Sequence, residues 1–388
     1  MPGAKILFWC CVAVLAYIYA GYPLVLALIA SFIRLRKPEP GYLPHLSFLI
    51  AAYNEEASIG QKIEQTLALD YPPDKLEIMV LSDGSTDRTD EIVRSFDDPR
   101  VRLLRMEPRR GKTMAQNQGV CQARGEVLVF SDATTVYHPQ ALRYLACNYD
   151  DPSVGAVSGR YQYFDAEGNS PTGLGTIFFW NYENLVKMLQ SRIRTISGCC
   201  GCIYSVRKGA YTDLPADVIS DLVQPLWAIQ KGFRVVFEDR ALAYEETTQS
   251  ASEEFSMRVR VVTRGMRGLL GVPEILKPWK FSWVSFQLFS HKILRWLVPF
   301  FLFLIYASNL AIVVLNPRSF YLFALLLQTA FYTWALLSMA VPLHRWGKVL
   351  GVPLYFCILN AAALCSLIEV LRGRKYVTWE TVRAGGVK

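Results

Sequence analysis

Residues 46–56 read LSFLIAAYNEE and residues 76–87 read LEIMVLSDGSTD. In both, a short apolar run ends abruptly in polar and acidic residues. A run of this length without alternation predicts a strand buried on both faces. Residues 101–105 and 126–131 repeat the pattern, and the second of these leads into SDAT at 131–134. Between the runs, residues 57–69, 86–95 and 113–123 carry helical amphipathic spacing. The resulting βαβαβαβ order predicts a parallel sheet with right-handed crossovers and a ligand site at the carboxyl ends of its strands. The polar signatures sit at those ends.

In SDGSTD, Gly84 permits close backbone approach and Ser85-Thr86-Asp87 can cap the next helix. Neither role needs Asp83, and a carboxylate at a strand end can accept from a base N–H or a ribose hydroxyl. Asp132 in SDAT can hold a hard cation that bridges a diphosphate, because Mg²⁺ is bound by one or two carboxylates plus substrate phosphates. Gly111-Lys112 opens the third helix, and its free N–H groups together with the ammonium make a diphosphate contact. There is no GxGxxG and no Walker A sequence, which argues against a dinucleotide cofactor and P-loop chemistry.

The rest of the 388-residue chain departs from soluble composition: 52% of residues are hydrophobic and only 19% charged, against about a quarter charged in ordinary domains. The surplus lies in residues 6–33, 293–315, 320–343 and 349–371. Each stretch has about 20 residues or more, enough to cross a hydrocarbon layer of roughly 30 Å. Arg34, Arg36 and Lys37 follow the first stretch while only Lys5 precedes it, so the positive-inside rule predicts an outer N-terminus and a cytoplasmic domain. Threading the remaining stretches in turn puts the basic tail outside, against that rule. The last stretch, with Pro353 and Asn360, is therefore a candidate for a re-entrant or interfacial segment. The nine cysteines read as small apolar residues rather than disulfides or a zinc site. The net charge of +8 comes with no nucleic-acid motif, so the expected partners are anionic headgroups or phosphates.

Taken in order, AAYNEE (51–56), SDGSTD (82–87), GKTMAQNQG (111–119), SDAT (131–134) and TISGCCGCIYSVRK (195–208) resemble the motifs of inverting, GT-A-fold family 2 glycosyltransferases. The resemblance is strongest to the membrane-embedded polysaccharide synthases that make poly-N-acetylglucosamine, hyaluronan, chitin or cellulose. It implies an α/β GT-A domain (38–250) after an N-terminal transmembrane helix (1–37). Amphipathic interfacial helices (251–292), transmembrane helices (293–371) and a basic tail (372–388) follow, in an inner or plasma membrane protein with its catalytic domain in the cytoplasm.

The resemblance also implies roles for single residues. Ala52, Tyr53, Glu55 and Asp83 would cradle the nucleotide base and ribose, with Lys112 nearby. Asp132 would bind the nucleotide and a Mg²⁺ or Mn²⁺ ion. Asp221, in VISD (218–221), would be the general base, and Arg260, in MRVRV (257–261), would contact the diphosphate. The partners implied are a nucleotide-sugar donor, UDP-linked by expectation, a glycan or lipid-linked acceptor, the membrane, and accessory synthase or export subunits, with no nucleic acid.

Three positions depart from the pattern. Thr134 stands where a second Asp would be, Ser220 where a Glu would precede the base, and Val261 where a Trp would form an acceptor platform. The last leaves open a non-processive single-sugar transferase acting on a polyprenyl-linked acceptor. The three together leave open a non-catalytic subunit that scaffolds a partner synthase. Residue by residue, other readings stand beside these. Asp221 can cap a helix, Arg258 and Arg267 can face lipid headgroups, Glu245 and Glu246 can lie in a solvated loop, and Phe178 to Tyr182 can pack in a core as readily as they stack on sugars.

Overall fold

The computed structural model describes residues 2–34, 38–165, 168, 170–248, 250–315, 319–341 and 346–378. Arg36, Lys37, the turn at 316–318, His344 and the tail beyond 378 lie outside the described residues.

Eight strands form one sheet: β1 (Leu46–Ala52), β2 (Leu76–Asp83), β3 (Val101–Met106), β4 (Val127–Asp132), β5 (Val136–Tyr137), β6 (Val154–Phe164), β7 (Tyr204–Arg207) and β8 (Arg234–Glu246), in the order β3-β2-β1-β4-β7-β6-β8-β5. The four strands read from the sequence are its parallel half. β7 then runs antiparallel to β4 and to β6. β1 is buried along its whole length, as a strand covered on both faces must be. Its alternation divides the core in two. Leu46, Phe48, Ile50 and Ala52 pack into one apolar cluster, while Leu49 joins Met79, Leu81 and Phe130 in the other.

The helices that matter to the site are α1 (Pro2–Ser31), α2 (Ile59–Leu67), α3 (Thr89–Arg94), α4 (Lys112–Gln122), α5 (Gly173–Ile193), α6 (Ser220–Gln230), α7 (Ala251–Leu270), α8 (Val298–Leu315), α9 (Ser319–Ala340) and α10 (Val352–Leu371). The helix after SDGSTD begins three residues later than its capping run predicts. Asp87 accepts from the Thr89 backbone N–H at 3.0 Å and from the Glu56 N–H at 3.0 Å, which ties the β1 loop to the start of α3.

Among the described residues four helices are long and apolar enough to cross a membrane: α1, α8, α9 and the stretch Lys348–Leu371 that contains α10. The last, the candidate for a re-entrant or interfacial segment, is one continuous helix from Val352 to Leu371. Pro353 sits in the first turn of α10, where its missing N–H costs no bond, and Asn360 donates to the Phe356 carbonyl one turn back.

Polar bonds fasten the domain to these helices. Gln190 on α5 donates to the Tyr22 hydroxyl at 2.7 Å and Tyr182 donates to the Ile18 carbonyl at 3.1 Å. α7 lies against α10, where Ser366 donates to the Val259 carbonyl at 3.0 Å and Arg258 donates to the Tyr355 hydroxyl at 3.0 Å. The side of α7 that carries Arg258 and Val259 therefore faces α10. Arg258 is buried, paired with Glu254 at 2.7 Å, and does not point at headgroups; Arg267 pairs with Asp217 at 2.9 Å.

Candidate active site

A cavity of about 450 Å³ opens at the carboxyl ends of β1 and β4, where the crossover order predicts it. Asp132 and Lys112 meet there, the Lys112 ammonium donating to the Asp132 carboxylate. Lys112 is the first residue of α4, directly after Gly111, whose φ of +93° suits glycine. A side chain at Gly111 would also collide with the Val377 carbonyl, because the chain after α10 passes over this turn.

Asp221 enters from the first turn of α6, facing the loop at 195–203. The Cys199 N–H donates to the Asp221 carbonyl at 2.8 Å, and a Cβ on Gly201 would come within 2.9 Å of Asp221 Oδ2, so glycine is what lets this loop close over the acid. Burial pushes the Asp221 carboxyl above its ordinary value, opposed by the charges of Lys112, Lys187 and Lys292. A carboxylate held up in this way is a stronger proton acceptor than an exposed one. The cysteines of the loop are free thiols, as are the other six in the chain.

Arg260 and Arg264 reach the cavity from α7. Arg264 is committed to structure, since it donates to Thr113 Oγ1 at 2.7 Å and to the Val218 carbonyl at 2.5 Å, pinning α7 to the first turn of α4. Burial, with Arg260 nearby, lowers its pKa to about 10. Arg267, the third arginine on that helical face, is engaged by Asp217. Arg260 lines the cavity.

Glu55 also lines the cavity, accepting from Ser58 Oγ at 2.6 Å. The other proposed nucleotide contacts sit elsewhere. Ala52 points into the core, and by strand alternation its neighbour Ala51 faces the cavity instead. Asp83 is fully buried, and its two oxygens accept from the Arg110 and Gly111 backbone N–H groups at 2.7 and 2.8 Å. It thus holds the loop that delivers Lys112. Tyr53 lies under the Arg109 guanidinium, 3.4 Å from ring centre to carbon.

Two groups of functional character escape sequence reasoning. Glu245 sits in the cavity wall rather than in a solvated loop, taking hydrogen bonds from Tyr161 and from Thr134 at 3.3 Å. Burial, with Asp132 nearby, pushes its carboxyl to about 8. At the membrane-proximal end, buried Glu183 pairs with Arg295, with His291 at 3.0 Å and with Lys292 at 3.8 Å. Burial lowers the His291 pKa to about 4. Lys187 lies beside it with its ammonium 2.9 Å from Cys200 Sγ. Phe179 and Trp180 line the same wall, and Tyr19 of α1 and Asn360 of α10 bring the apolar helices into the cavity surface.

Among the described residues no three His, Cys, Asp or Glu side chains converge as a metal cage. Mg²⁺ or Mn²⁺ held partly by substrate phosphates needs less than a cage, and the chemistry of Asp132 fits that role. The Lys112 ammonium already shows that this carboxylate attracts a cation.

Residues 47–214 match the family described as Glycosyl transferase family 2. Over 238 residues the chain is 29% identical to the poly-beta-1,6-N-acetyl-D-glucosamine synthase of Staphylococcus aureus (strain COL), covering 59% of this chain and 56% of that protein. The synthase of the same name from Staphylococcus epidermidis is 29% identical over 243 residues, covering 60% and 58%. The chain thus spans little more than half the length of these relatives. Among solved structures, a mannosyltransferase from Pyrobaculum calidifontis in complex with GDP-Man and Mn²⁺ superposes with a TM-score of 0.68 at 21% identity, covering 95% of this chain and all of that one. Residues 47–214 thus resemble family 2 glycosyltransferases, in a domain of GT-A-type α/β fold that lies, among the described residues, beside four long apolar helices.

Proposed function

We propose that the cavity transfers a sugar, with inversion, from a nucleotide-sugar to a membrane-associated acceptor. The observation that carries this reading is the convergence of Lys112, Asp132, Asp221 and Arg260, drawn from α4, β4, α6 and α7, on one cavity. Inversion needs a base on the acceptor side and cationic stabilisation of the leaving diphosphate. Asp221, with its raised pKa, takes the proton from the acceptor hydroxyl as the oxygen attacks the anomeric carbon. Arg260 and Lys112 stabilise the diphosphate as the glycosidic bond to it breaks. Asp132 would hold Mg²⁺ or Mn²⁺, which when bound neutralises phosphate charge.

The donor is a UDP-sugar in this reading, in keeping with the named product of the staphylococcal relatives. The mannosyltransferase solved with GDP-Man keeps GDP-sugars in the test. The acceptor is a growing glycan or a lipid-linked sugar, because α1 and α10 contribute to the cavity wall. We place the protein in the plasma (inner) membrane with its catalytic domain cytoplasmic, from the basic residues after the first apolar stretch. Val261 lines the cavity at the position where the synthases' motif has Trp, and this favours single or short additions as the second reading.

Purified protein supplied with a panel of UDP- and GDP-sugars should release nucleoside diphosphate from one of them in the presence of Mg²⁺ or Mn²⁺. Absence of release from every donor, with lipid extract and glycan acceptors present, contradicts the reading. The product's length on a gel separates polymer from single addition.

A further inference from the structure

β4 ends in one carboxylate, Asp132, and the residue two positions on is Thr134. The fold brings another carboxylate to that place from a distant strand. β5 pairs antiparallel with β8, with Val136 opposite Tyr244 and Tyr137 opposite Ala243. Continued by one residue, this register sets Glu245 beside Thr135 at the mouth of β4. There Thr134 Oγ1 donates to Glu245 Oε1 at 3.3 Å and Thr135 Oγ1 lies 3.5 Å from Oε2. Glu245 and Asp132 line the same cavity. Two acids in a poorly solvated wall repel each other, and a divalent cation between them converts that cost into attraction.

We propose that Glu245 supplies the second protein carboxylate of the divalent-cation site, in place of the acid that position 134 lacks. Asp132 and Glu245 act as its two anionic ligands, Thr134 orients Glu245, and the donor diphosphate and water complete the shell. Lys112, which sits on Asp132 in the free protein, is then released toward phosphate. The inference rests on the reading of the cavity as a nucleotide-sugar site, but its test reads the metal directly.

The full chain in detergent or nanodiscs is titrated with Mn²⁺ in the presence of UDP or GDP, and free Mn²⁺ is followed by electron paramagnetic resonance. Glu245→Gln is expected to weaken Mn²⁺ binding about 10-fold or more. The double variant Thr134→Asp/Glu245→Gln, which returns a carboxylate to the same place from β4's own end, is expected to recover most of that loss. Recovery also shows that the single variant is folded. Unchanged Mn²⁺ affinity in Glu245→Gln, or loss without recovery in the double variant, overturns the proposal while leaving diphosphate release by the wild-type chain intact. A wild-type chain that releases diphosphate yet binds no Mn²⁺ overturns the metal site alone, and one that does neither overturns the functional reading with it.

Discussion

Replacing Glu254 by Gln should loosen the joint between the α/β domain and the last apolar helix. Glu254 is 1% and Arg258 10% exposed, and their N···O separation is 2.7 Å. Arg258 also donates to Tyr355 on α10 and lies 5.0 Å from the centre of the Phe179 ring, while Thr248 holds the other Glu254 oxygen at 2.8 Å. Glutamine keeps the shape and can still accept from Thr248, so the substitution removes little except charge. It strands a buried guanidinium, and breaking a buried pair in this way costs about 3–5 kcal/mol. At about 2 °C per kcal/mol for a large domain, the unfolding temperature should fall by about 6–10 °C. Glu254→Met/Arg258→Met removes both charges and should restore most of the loss. The assay is thermal unfolding in nanodiscs followed by intrinsic fluorescence. A drop under about 2 °C would mean that Arg258 is hydrated or headgroup-facing, and that α7 does not pack on α10 through this pair.

Other expectations follow from the same geometry. Lys112→Met removes a charged phosphate contact and the partner of Asp132, so donor KM should rise roughly 10-fold or more, read from initial rates of diphosphate release. Gly125→Ala would bring a Cβ within 2.5 Å of the Ser47 backbone nitrogen, where β4 begins its pairing with β1. A loss of about 1–3 kcal/mol is expected in unfolding experiments. Because burial raises the Asp221 pKa, the acid limb of the pH–rate profile should lie above the ordinary carboxylate value of 3.8. The linkage has a definite sign: the folded state binds the extra proton, so this group's contribution to stability declines as pH rises from 3.8 through its folded pKa. Asp221→Asn should abolish that slope along with turnover.

Within residues 46–132, β1, β2 and β4 announce themselves in the sequence, because they are buried on both faces and read as largely apolar runs, whereas β3 is only half-buried. Asp132 and Lys112 can be singled out because they sit at a strand end and a helix start, whereas Asp221 stands out only through its resemblance to the family motif. Glu245 cannot, since its place depends on β5 pairing with β8 across a long stretch of intervening chain, and the residues around it look like any polar strand end. Arg258 misleads for a related reason: amphipathic spacing tells which residues share a helical face, not whether lipid or another helix covers it. Asp83 bears a ligand-like motif, yet its oxygens are engaged by the backbone of residues 110–111, a contact set by how the loop before α4 folds back.

In the proposed function Asp221 is the base of a glycosyl transfer in this cavity. This role is tested most directly by comparing Asp221→Asn with the wild-type chain, using the donor that supports turnover. Donor binding, measured by calorimetry, should stay within a few-fold, while acceptor-dependent diphosphate release should fall by about 10²-fold or more. Wild-type rates in the Asn variant, at equal donor binding, would contradict the account.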